Sequence, residues 1–267
     1  MPCATYGIAR IQGMNTSDLP YTMVVPSIYG QVLVNRYDTN QTNALIKTGG
    51  SLDAGEIGLL QSIADLLPPG VVFVDVGANF GLYSLAMAQS LKASGGKVIT
   101  IEAQRIIFNM VCGSVALNSI ENMFVYHLAI ADQAGFIAIP KLDYTKVSSY
   151  GSVEFADEQA EFMGQERGVS TESVRAMSLD DMAWPRVDII KIDIEGMEEL
   201  ALAGGTTLFE TQRPIVFIEW IKSDKQAIVD YFATRDYSVY DSGMNLLCMP
   251  KNKGQDIVIS GMAALVA

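Results

Sequence analysis

Residues 71–85 read VVFVDVGANFGLYSL: an uninterrupted apolar run, an acid with a glycine-rich turn, and then helix-forming residues. A continuous apolar run of this length favours a strand that is covered on both faces. The glycines allow a tight turn and a close backbone approach to a ligand. The stretch therefore predicts a β-strand, a ligand-binding turn and an α-helix, which is the first unit of an α/β fold.

The turn itself, from Asp75 to Gly81, distinguishes between two classes of nucleoside cofactor. Its glycines are spaced GxNxG, without the third glycine of the GxGxxG pattern of dinucleotide-binding proteins. The carboxylate of Asp75 would repel a pyrophosphate but would suit the ammonium and sulfonium groups of S-adenosylmethionine. The turn therefore favours S-adenosylmethionine over a nicotinamide dinucleotide, and a sharp turn without any ligand is the simpler structural alternative.

Glu102 follows directly after the next predicted strand, Lys97–Ile101. An acid at this place can accept hydrogen bonds from both ribose hydroxyls of a nucleoside cofactor. Because both classes of cofactor use such an acid, Glu102 supports nucleoside binding without choosing the cofactor. An acid at the start of a surface helix is the alternative interpretation.

Beyond this unit, apolar runs and helical periods alternate along the chain. Strands are predicted at 97–101, 123–128, 187–194 and 215–220, and helices at 53–67, 82–91, 108–118, 197–209 and 225–234. This alternation predicts a mostly parallel sheet with helices on both faces. Two short runs, 237–241 and 246–249, predict a closing antiparallel hairpin at one edge of the sheet.

The domain organisation predicted from this pattern is one domain, residues 53–267, preceded by an extension of residues 1–52. The extension is rich in Thr, Asn, Ser and Gly and has short β-type runs at 21–25 and 31–35 without a helical period. We expect it to pack on the main domain, as a small hairpin over the binding cleft.

The segment 135–179 departs from the alternation of strands and helices. It contains the polar run Ser148–Ser152. We expect this insert to lie near the carboxyl edge of the sheet, where ligands of open α/β sheets bind.

Three acids end two further predicted strands. Asp193 and Glu195 follow the strand that contains Lys191, and Glu219 ends the neighbouring strand. Asp193 and Glu219 are the candidate catalytic residues, either as a general base or, with oxygen ligands that suit Mg²⁺, as a metal site. A third alternative is that Lys191 simply pairs with the acids and that Glu195 caps the helix predicted after it.

Two other polar residues lie near the predicted cofactor site. His127, the only histidine, ends a predicted strand, where a packed and hydrogen-bonded role is favoured over catalysis. Asp132 either contacts adenine or forms a turn with Gly135, and the sequence leaves both alternatives open.

The composition limits the possible partners and the compartment. Thirty acids against 18 Lys and Arg give a net charge of −12, which disfavours nucleic acid and anionic membrane surfaces as partners. Cys3, Cys112 and Cys248 form no metal-binding pattern and indicate reduced thiols. Because no signal peptide or membrane span is recognisable, we expect a soluble, cytoplasmic protein.

Several of these motifs together resemble the FkbM family of S-adenosylmethionine-dependent methyltransferases. The resemblance runs from about Glu56 to about Asp241 and depends on six segments: FVDVGANFGLYSL, ITIEAQ, LAIADQAG, LDDM, IIKIDIEGMEELALAGG and RPIVFIEW. Ala103 is a departure, because the family commonly has proline after the ribose acid. The residues before position 50 and after Met249 match no pattern of the family.

The resemblance implies a class I methyltransferase (Rossmann-like) fold and methylation of hydroxyls on sugars, polyketides or other secondary metabolites. It assigns a binding or catalytic role to nine positions: Asp75, Gly77, Asn79 and Gly81 to the methionine loop, Glu102 to the ribose, Ala129 to adenine through its backbone, and Asp193, Glu195 and Glu219 to the acids at the strand ends. The expected partner is a small hydroxylated acceptor. The rival interpretations are a nicotinamide-dependent oxidoreductase and a non-catalytic binding module with the same fold.

Overall fold

The computed structural model describes residues 19–152, 170–253 and 262–266. Its strands are β1 (Thr22–Ser27), β2 (Gly30–Asn35), β3 (Val72–Val76), β4 (Lys97–Glu102), β5 (Met123–His127), β6 (Ala129–Ile130), β7 (Gly135–Pro140), β8 (Thr171–Met177), β9 (Ile189–Ile192), β10 (Ile215–Glu219), β11 (Tyr237–Ser242), β12 (Asn245–Pro250) and β13 (Ala263–Val266). Its helices are α1 (Gln41–Thr48), α2 (Ala54–Asp65), α3 (Leu82–Leu91), α4 (Arg105–Leu117), α5 (Glu198–Ala203), α6 (Thr206–Thr211) and α7 (Lys225–Ala233).

The central sheet has the strand order β13-β11-β12-β10-β9-β3-β4-β5. Strands β10, β9, β3, β4 and β5 pair in parallel, and β12 joins β10 in antiparallel orientation. The predicted mostly parallel sheet with a closing antiparallel hairpin is therefore confirmed. From β3 the chain adds β4 and β5 on one side of the sheet. After β8 it adds β9 and β10 on the other side of β3, so the strand order reverses between β3 and β9.

Each face of the sheet is covered by its own group of helices, because alternate strand residues point to opposite sides. Phe73, Ile189 and Phe217 pack with apolar residues of α2, α3 and α4. Val74, Ile190 and Val216 pack instead with residues of α5, α6 and α7. All six are 0% exposed, so the parallel strands are buried on both faces, as their continuous apolar sequence predicts.

The N-terminal hairpin of β1 and β2 packs on helix α4. Asn118 holds the edge of β2, since its side chain accepts a hydrogen bond from the Gln31 amide (2.8 Å) and donates one to the Gln31 carbonyl (2.7 Å). Val25, Val32 and Val34 belong to the same apolar cluster as α2 and α3. The hairpin is thus part of the main core, and the chain that follows it leads to the edge of the sheet.

Two sequence-based assignments of helices were wrong. No helix was predicted before residue 53, but α1 forms there, with the Asp38 carboxylate accepting a hydrogen bond from the Thr42 amide at 2.8 Å. The helix predicted at 197–209 is two short helices, α5 and α6. They separate at Gly204, where a Cβ atom would lie 2.4 Å from the Ala131 carbonyl oxygen.

The insert after β6 forms a small second sheet in the order β6-β8-β7. Before β8 the chain returns to the N-terminal segment, where Asp38 bridges to Ser148. Residues 153–169 of the insert lie outside the described part of the chain, as does Cys3. Cys112 and Cys248 are free thiols, and none of the described helices is long and apolar enough to cross a membrane.

Candidate functional site

The turn between β3 and α3 is tied to the end of the neighbouring strand β4. The amides of Gly77 and Ala78 both donate to the Ile101 carbonyl, at 3.0 and 3.1 Å. Asn79 has a φ of 49°, and its amide donates to a carboxylate oxygen of Glu102 at 2.8 Å. These bonds fix the predicted cofactor turn against the predicted ribose acid.

A cleft of about 580 Å³, which includes space open to solvent, lies at this turn. Its walls come from the carboxyl ends of β3, β4 and β9 and from β6. It therefore lies where the strand order of the sheet reverses, the expected place for a ligand of an open α/β fold. Of the predicted site residues it brings together Gly77, Asn79, Glu102, Ala129 and Asp193.

Glu102 is 4% exposed, and both of its carboxylate oxygens bind backbone amides. One accepts the hydrogen bond from Asn79, and the other accepts one from the Gln104 amide at 2.7 Å. Burial raises its pKa to about 7, although the two amides oppose this shift. Each oxygen retains a second lone pair, so the carboxylate can hold the turn and still accept ligand hydroxyls.

One side of the cleft is formed by the insert. Gly151 lies so close to Asn79 that a Cβ on it would be 2.3 Å from the Asn79 side-chain nitrogen. Gln104 lines the cleft and donates to the Tyr150 carbonyl at 2.8 Å. The predicted position of the Ser148–Ser152 run near the carboxyl edge of the sheet is thereby confirmed.

Asp75 lies beneath the turn and is 0% exposed. It accepts a hydrogen bond from the Ser84 hydroxyl at 2.7 Å, and its other oxygen is 3.8 Å from the Lys191 ammonium. The described residues that line the cleft do not include Asp75. Its direct contact with a cofactor stays a prediction, and the role visible in the structure is to pair with Lys191.

Gly77 and Gly81 are required by packing as well as by the shape of the turn. With a φ of 80°, Gly77 approaches β9 so closely that a Cβ would lie 1.8 Å from the Asp193 carbonyl oxygen. Gly81 has a φ of 76°, and a Cβ on it would lie 3.1 Å from a methyl carbon of Val111. A side chain at position 77 would therefore collide with the backbone of β9 before it reached any ligand.

The three predicted acids do come together at the strand ends. One carboxylate oxygen from each of Asp193, Glu195 and Glu219 lies within 4.8 Å of the others. Asp193 accepts a hydrogen bond from Lys191 at 3.1 Å, and Glu195 forms an ion pair with Lys222 at 2.5 Å. Asp193 and Glu195 line the cleft, so the acids border the space in which the cofactor is expected.

The expectation that Glu195 caps the following helix was wrong. Helix α5 has no side-chain cap. The turn before the helix is instead bound by Glu198, whose carboxylate accepts hydrogen bonds from the amides of Ile194 (2.9 Å) and Gly196 (3.1 Å). Glu195 has the unusual φ of 57°, and its side chain turns away towards Lys222. The short turn between β9 and α5 is thus held in place by Glu198, which is 1% exposed.

The crowding of these acids changes their protonation. Burial is the main cause that raises the pKa of Glu219 to about 8, and the charges of Asp193 and Glu195 add to it. Burial likewise raises the pKa of Glu195 to about 7, while the ion pair with Lys222 opposes the shift. At neutral pH the cluster therefore holds protons that exposed carboxylates would have lost.

The acid cluster fits a divalent metal poorly. A hard cation needs carboxylates that are free to coordinate it, but Asp193 and Glu195 each bind a lysine ammonium. Lys191 is itself fully buried; burial alone would lower its pKa, but the carboxylates of Asp193 and Asp75 outweigh this and raise it. A permanently charged lysine next to the cluster replaces the positive charge that a metal would supply.

His127 and Asp132 lie outside the lining of the cleft in the described structure. The His127 ring donates to the Ala103 carbonyl at 2.9 Å and stacks on Phe108 at 5.2 Å, which is the packed role that the sequence favours. Asp132 is exposed after β6, and its contact with adenine stays a prediction.

Sequence reasoning missed three residues that shape the site: Gln104, Gly151 and Glu198. The run EGMEE gave no reason to choose Glu198 over Glu195, because both precede or begin the same helix. Gly151 lies in the insert, which has no recognisable pattern. Gln104 follows the ribose acid by two positions, and that proximity was the one available signal.

Comparison with protein families identifies the group to which this site belongs. The family model described as the Methyltransferase FkbM domain matches residues 75–239, more than half of the chain and the whole of the site described above. The chain belongs to the FkbM methyltransferase family. No curated protein matches it.

Two solved structures to which this chain is similar are named as methyltransferases. Methyltransferase FkbM from Methylobacillus flagellatus KT is 19% identical to this chain, with a TM-score of 0.49. The matched region covers 69% of this chain and 45% of the Methylobacillus chain. Precorrin-6y C5,15-methyltransferase from Geobacter metallireducens GS-15 is 12% identical to this chain, with a TM-score of 0.40. The matched region covers 72% of this chain and 86% of the Geobacter chain. The chain thus spans less than half the length of the Methylobacillus structure.

The contact between the cofactor turn and β9 gives a test of the packing at Gly77. Gly77→Ala should lower the free energy of unfolding by more than about 1 kcal/mol, because an alanine there is strained and also collides with backbone. Gly55→Ala, in helix α2, is the control, since a Cβ there meets no described atom within 4 Å. Urea denaturation should show the control as stable as the parent or more so; equal stability of both variants would contradict the packing role.

The raised pKa of Glu219 predicts a pH-dependent stability. Its carboxyl titrates near 8 when folded and near 4.3 when unfolded, so the folded protein binds more protons between these values. The free energy of unfolding should therefore fall as the pH rises from about 5 to about 8.

Glu219→Gln imitates the protonated side chain and cannot ionise, so its stability should fall less over this range. The exposed Glu121→Gln provides the control and should retain the pH dependence of the parent. Urea denaturation at several pH values measures both, and an unchanged slope in Glu219→Gln would exclude the titration of Glu219 as a cause.

Proposed function

We propose that this protein transfers a methyl group from S-adenosylmethionine to a hydroxyl of a small acceptor such as a sugar or polyketide. The observation that carries the proposal is that Glu102 and Asp193 line one and the same cleft. The first suits a ribose and the second suits a reacting hydroxyl. The family of the chain supports the methyl transfer, and the acid cluster supports the choice of oxygen as the acceptor.

The residues of the cleft fit the nucleoside of the cofactor. Glu102 has lone pairs left for the ribose hydroxyls, and Ala129 and Ile130 present backbone and small apolar surface for adenine. The turn at Gly77 and Asn79 continues the wall towards Asp193. The acidic character of this lining suits a cation and opposes the pyrophosphate of a nicotinamide dinucleotide.

S-adenosylmethionine, when bound, supplies an electrophilic methyl group on a positively charged sulfur. The task left to the protein is to orient the acceptor hydroxyl, to exclude water and to take up one proton. Of the two acids of the cluster that border the cleft, Asp193 has the more exposed side chain, 31% against 15% for Glu195. We assign it the contact with the acceptor hydroxyl and the uptake of its proton.

Glu219 has a supporting role in this scheme. It lies in the same cluster, and its pKa of about 8 lets it hold or release a proton near neutral pH, where a general base is most effective. Lys191 keeps Asp193 oriented through the 3.1 Å hydrogen bond. No step of this scheme passes through a metal, because lysines already pair with two of the three acids.

The assignment of Glu102 to the ribose is tested with ligands that differ only in that group. The parent should bind S-adenosylhomocysteine about 10- to 100-fold more tightly than its 2′-deoxy analogue, the usual value of hydrogen bonds to a charged group. Glu102→Ala should bind the two ligands equally, as measured by calorimetry.

If Glu102→Ala still discriminates between them, the carboxylate holds only the turn. The same calorimeter tests the cofactor class, because NAD should not bind the parent. Binding of NAD in place of S-adenosylhomocysteine would support the oxidoreductase alternative, and binding of neither would support a non-catalytic module.

The catalytic role of Asp193 predicts a separation of binding from turnover. Asp193→Asn keeps an oxygen for Lys191 but loses the base, so methyl transfer should fall about 100-fold or more while the affinity for S-adenosylhomocysteine changes little. The assay uses methyl-labelled S-adenosylmethionine and an acceptor found by screening hydroxylated sugars and polyketides.

Each assay of Asp193→Asn is repeated with EDTA, and Glu121→Gln serves as the exposed control. We expect activity of the parent to resist the chelator. Full activity in Asp193→Asn would remove this residue from the mechanism, whereas loss of activity in EDTA, restored by magnesium, would require a metal at the acid cluster.

A further inference from the structure

Three apolar side chains are exposed near the acid cluster at the carboxyl edge of the sheet. They are Leu52 in the turn before α2, Ile221 in the loop after β10 and Met244 in the hairpin turn between β11 and β12. A single apolar side chain on a protein surface is normal, whereas a group of them beside a candidate site marks a contact surface. We call these three residues the apolar rim, and hydrogen bonds tie their segments to one another and to the end of β10.

Two segments of the rim meet at Glu219. This residue ends β10 and pairs with Asn245, the first residue of β12. Ile221 lies two positions after Glu219, and Met244 directly precedes the paired residue of β12. The Trp220 amide donates to the Met244 carbonyl at 3.2 Å. The loop after β10 and the hairpin turn therefore form one surface beside Glu219.

The third segment of the rim is the turn before α2. The Asn245 side chain donates to the Glu56 carboxylate, in the first turn of this helix, at 3.1 Å. Leu52 lies four positions before Glu56. Asp53, the neighbour of Leu52, lines a small cavity together with Asp193. The rim therefore borders the acid cluster from the side of α2 as well as from the side of β10.

Polar side chains next to the rim already bind one another. Lys225 lies 4.3 Å from the ring centroid of Trp220 and pairs with Asp241 at 2.7 Å. The Tyr83 hydroxyl donates to the Glu56 carboxylate. A ligand with many hydroxyls would have to displace such partners or leave its own hydroxyls unpaired, and either costs free energy. The surroundings of the acid cluster therefore suit an acceptor with few polar groups besides the hydroxyl that reacts.

We infer that the apolar rim binds the methyl acceptor and selects a hydroxyl on an apolar carbon skeleton over a hydroxyl of a free sugar. The inference rests on the proposed function and narrows its class of acceptor. Contact with the rim removes apolar surface of the acceptor from water, which supplies affinity. The reacting hydroxyl then lies at Asp193 and Glu219, while the skeleton covers the rim.

The rim is separate from the cofactor cleft, because none of its three residues lines that cleft. Its contact with the acceptor is the same before and during the transfer, so it should act on KM and leave kcat unchanged. The affinity for the cofactor should not depend on it either. These two expectations separate a rim that binds the acceptor from residues that only support the fold of the site.

The test compares apolar alcohols with free sugars as acceptors of the methyl group of labelled S-adenosylmethionine. The panel contains hydroxylated sterols, macrocyclic lactones and cyclohexanols, and with them free hexoses, pentoses and inositol. We expect turnover with an apolar alcohol, and a kcat/KM that is lower by about 10-fold or more for every free sugar.

Leu52→Ser and Ile221→Ser should each raise the KM for the apolar acceptor by about 5- to 20-fold, because each removes apolar contact area. The kcat and the affinity for S-adenosylhomocysteine should stay as in the parent. Leu66→Ser is the matched control, since Leu66 is 64% exposed after the end of α2 and Leu52 is 62% exposed before its start. This control should have the KM of the parent. All three are surface substitutions, so the fold should survive them.

A free sugar as the better acceptor would overturn the inference and leave the methyl transfer standing. A KM that stays unchanged in the rim variants, or that rises as much in Leu66→Ser, would overturn it too. So would a loss of affinity for S-adenosylhomocysteine in the rim variants, because the rim would then support the cofactor site. Binding of S-adenosylhomocysteine without transfer to any apolar alcohol would also overturn the inference, whereas failure to bind S-adenosylhomocysteine would overturn the proposed function itself.

Discussion

The site depends on one buried ammonium, that of Lys191 between the ends of β3 and β9. It pairs with Asp75 under the cofactor turn and with Asp193 at the cleft, and it lies 4.8 Å from the ring centroid of Tyr83. An unpaired charge at this depth would cost several kcal/mol, and the two carboxylates together compensate the ammonium. The turn after β3 and the acid after β9 are therefore one electrostatic unit, although about 120 residues separate Asp75 from Asp193.

Much of the fold could be predicted from the sequence because the parallel strands are continuous apolar runs between helical periods. The stretch around Asp75 and the run around Asp193 placed both at strand ends, and the structure brings them together. Helix α1 escaped prediction because its eight residues bury only Thr42, Ala44 and Leu45, too few for a visible period. The break between α5 and α6 depends on a contact with the distant Ala131 carbonyl, which no local pattern reveals.

The site was predictable in position but less so in mechanism. Glu102 and Asp193 line the cleft as their places at the strand ends suggest, whereas Asp75 is turned into the protein. Sequence spacing gives the strand on which an acid lies, but the direction of its side chain depends on partners such as Ser84 and Lys191 that come from other elements. The same limit explains why Glu195 was wrongly expected to cap α5 and why the role of Glu198, three positions further on, was missed.

The acidic lining of the cleft also affects what happens after the methyl group has left. The sulfur of the cofactor is cationic before the transfer and neutral after it, while the carboxylates of Asp193, Glu195 and Glu102 stay in place. Their field attracts the first form more than the second. Under the proposed function, the spent cofactor would therefore leave an environment that no longer attracts its sulfur, and inhibition by the product would be limited.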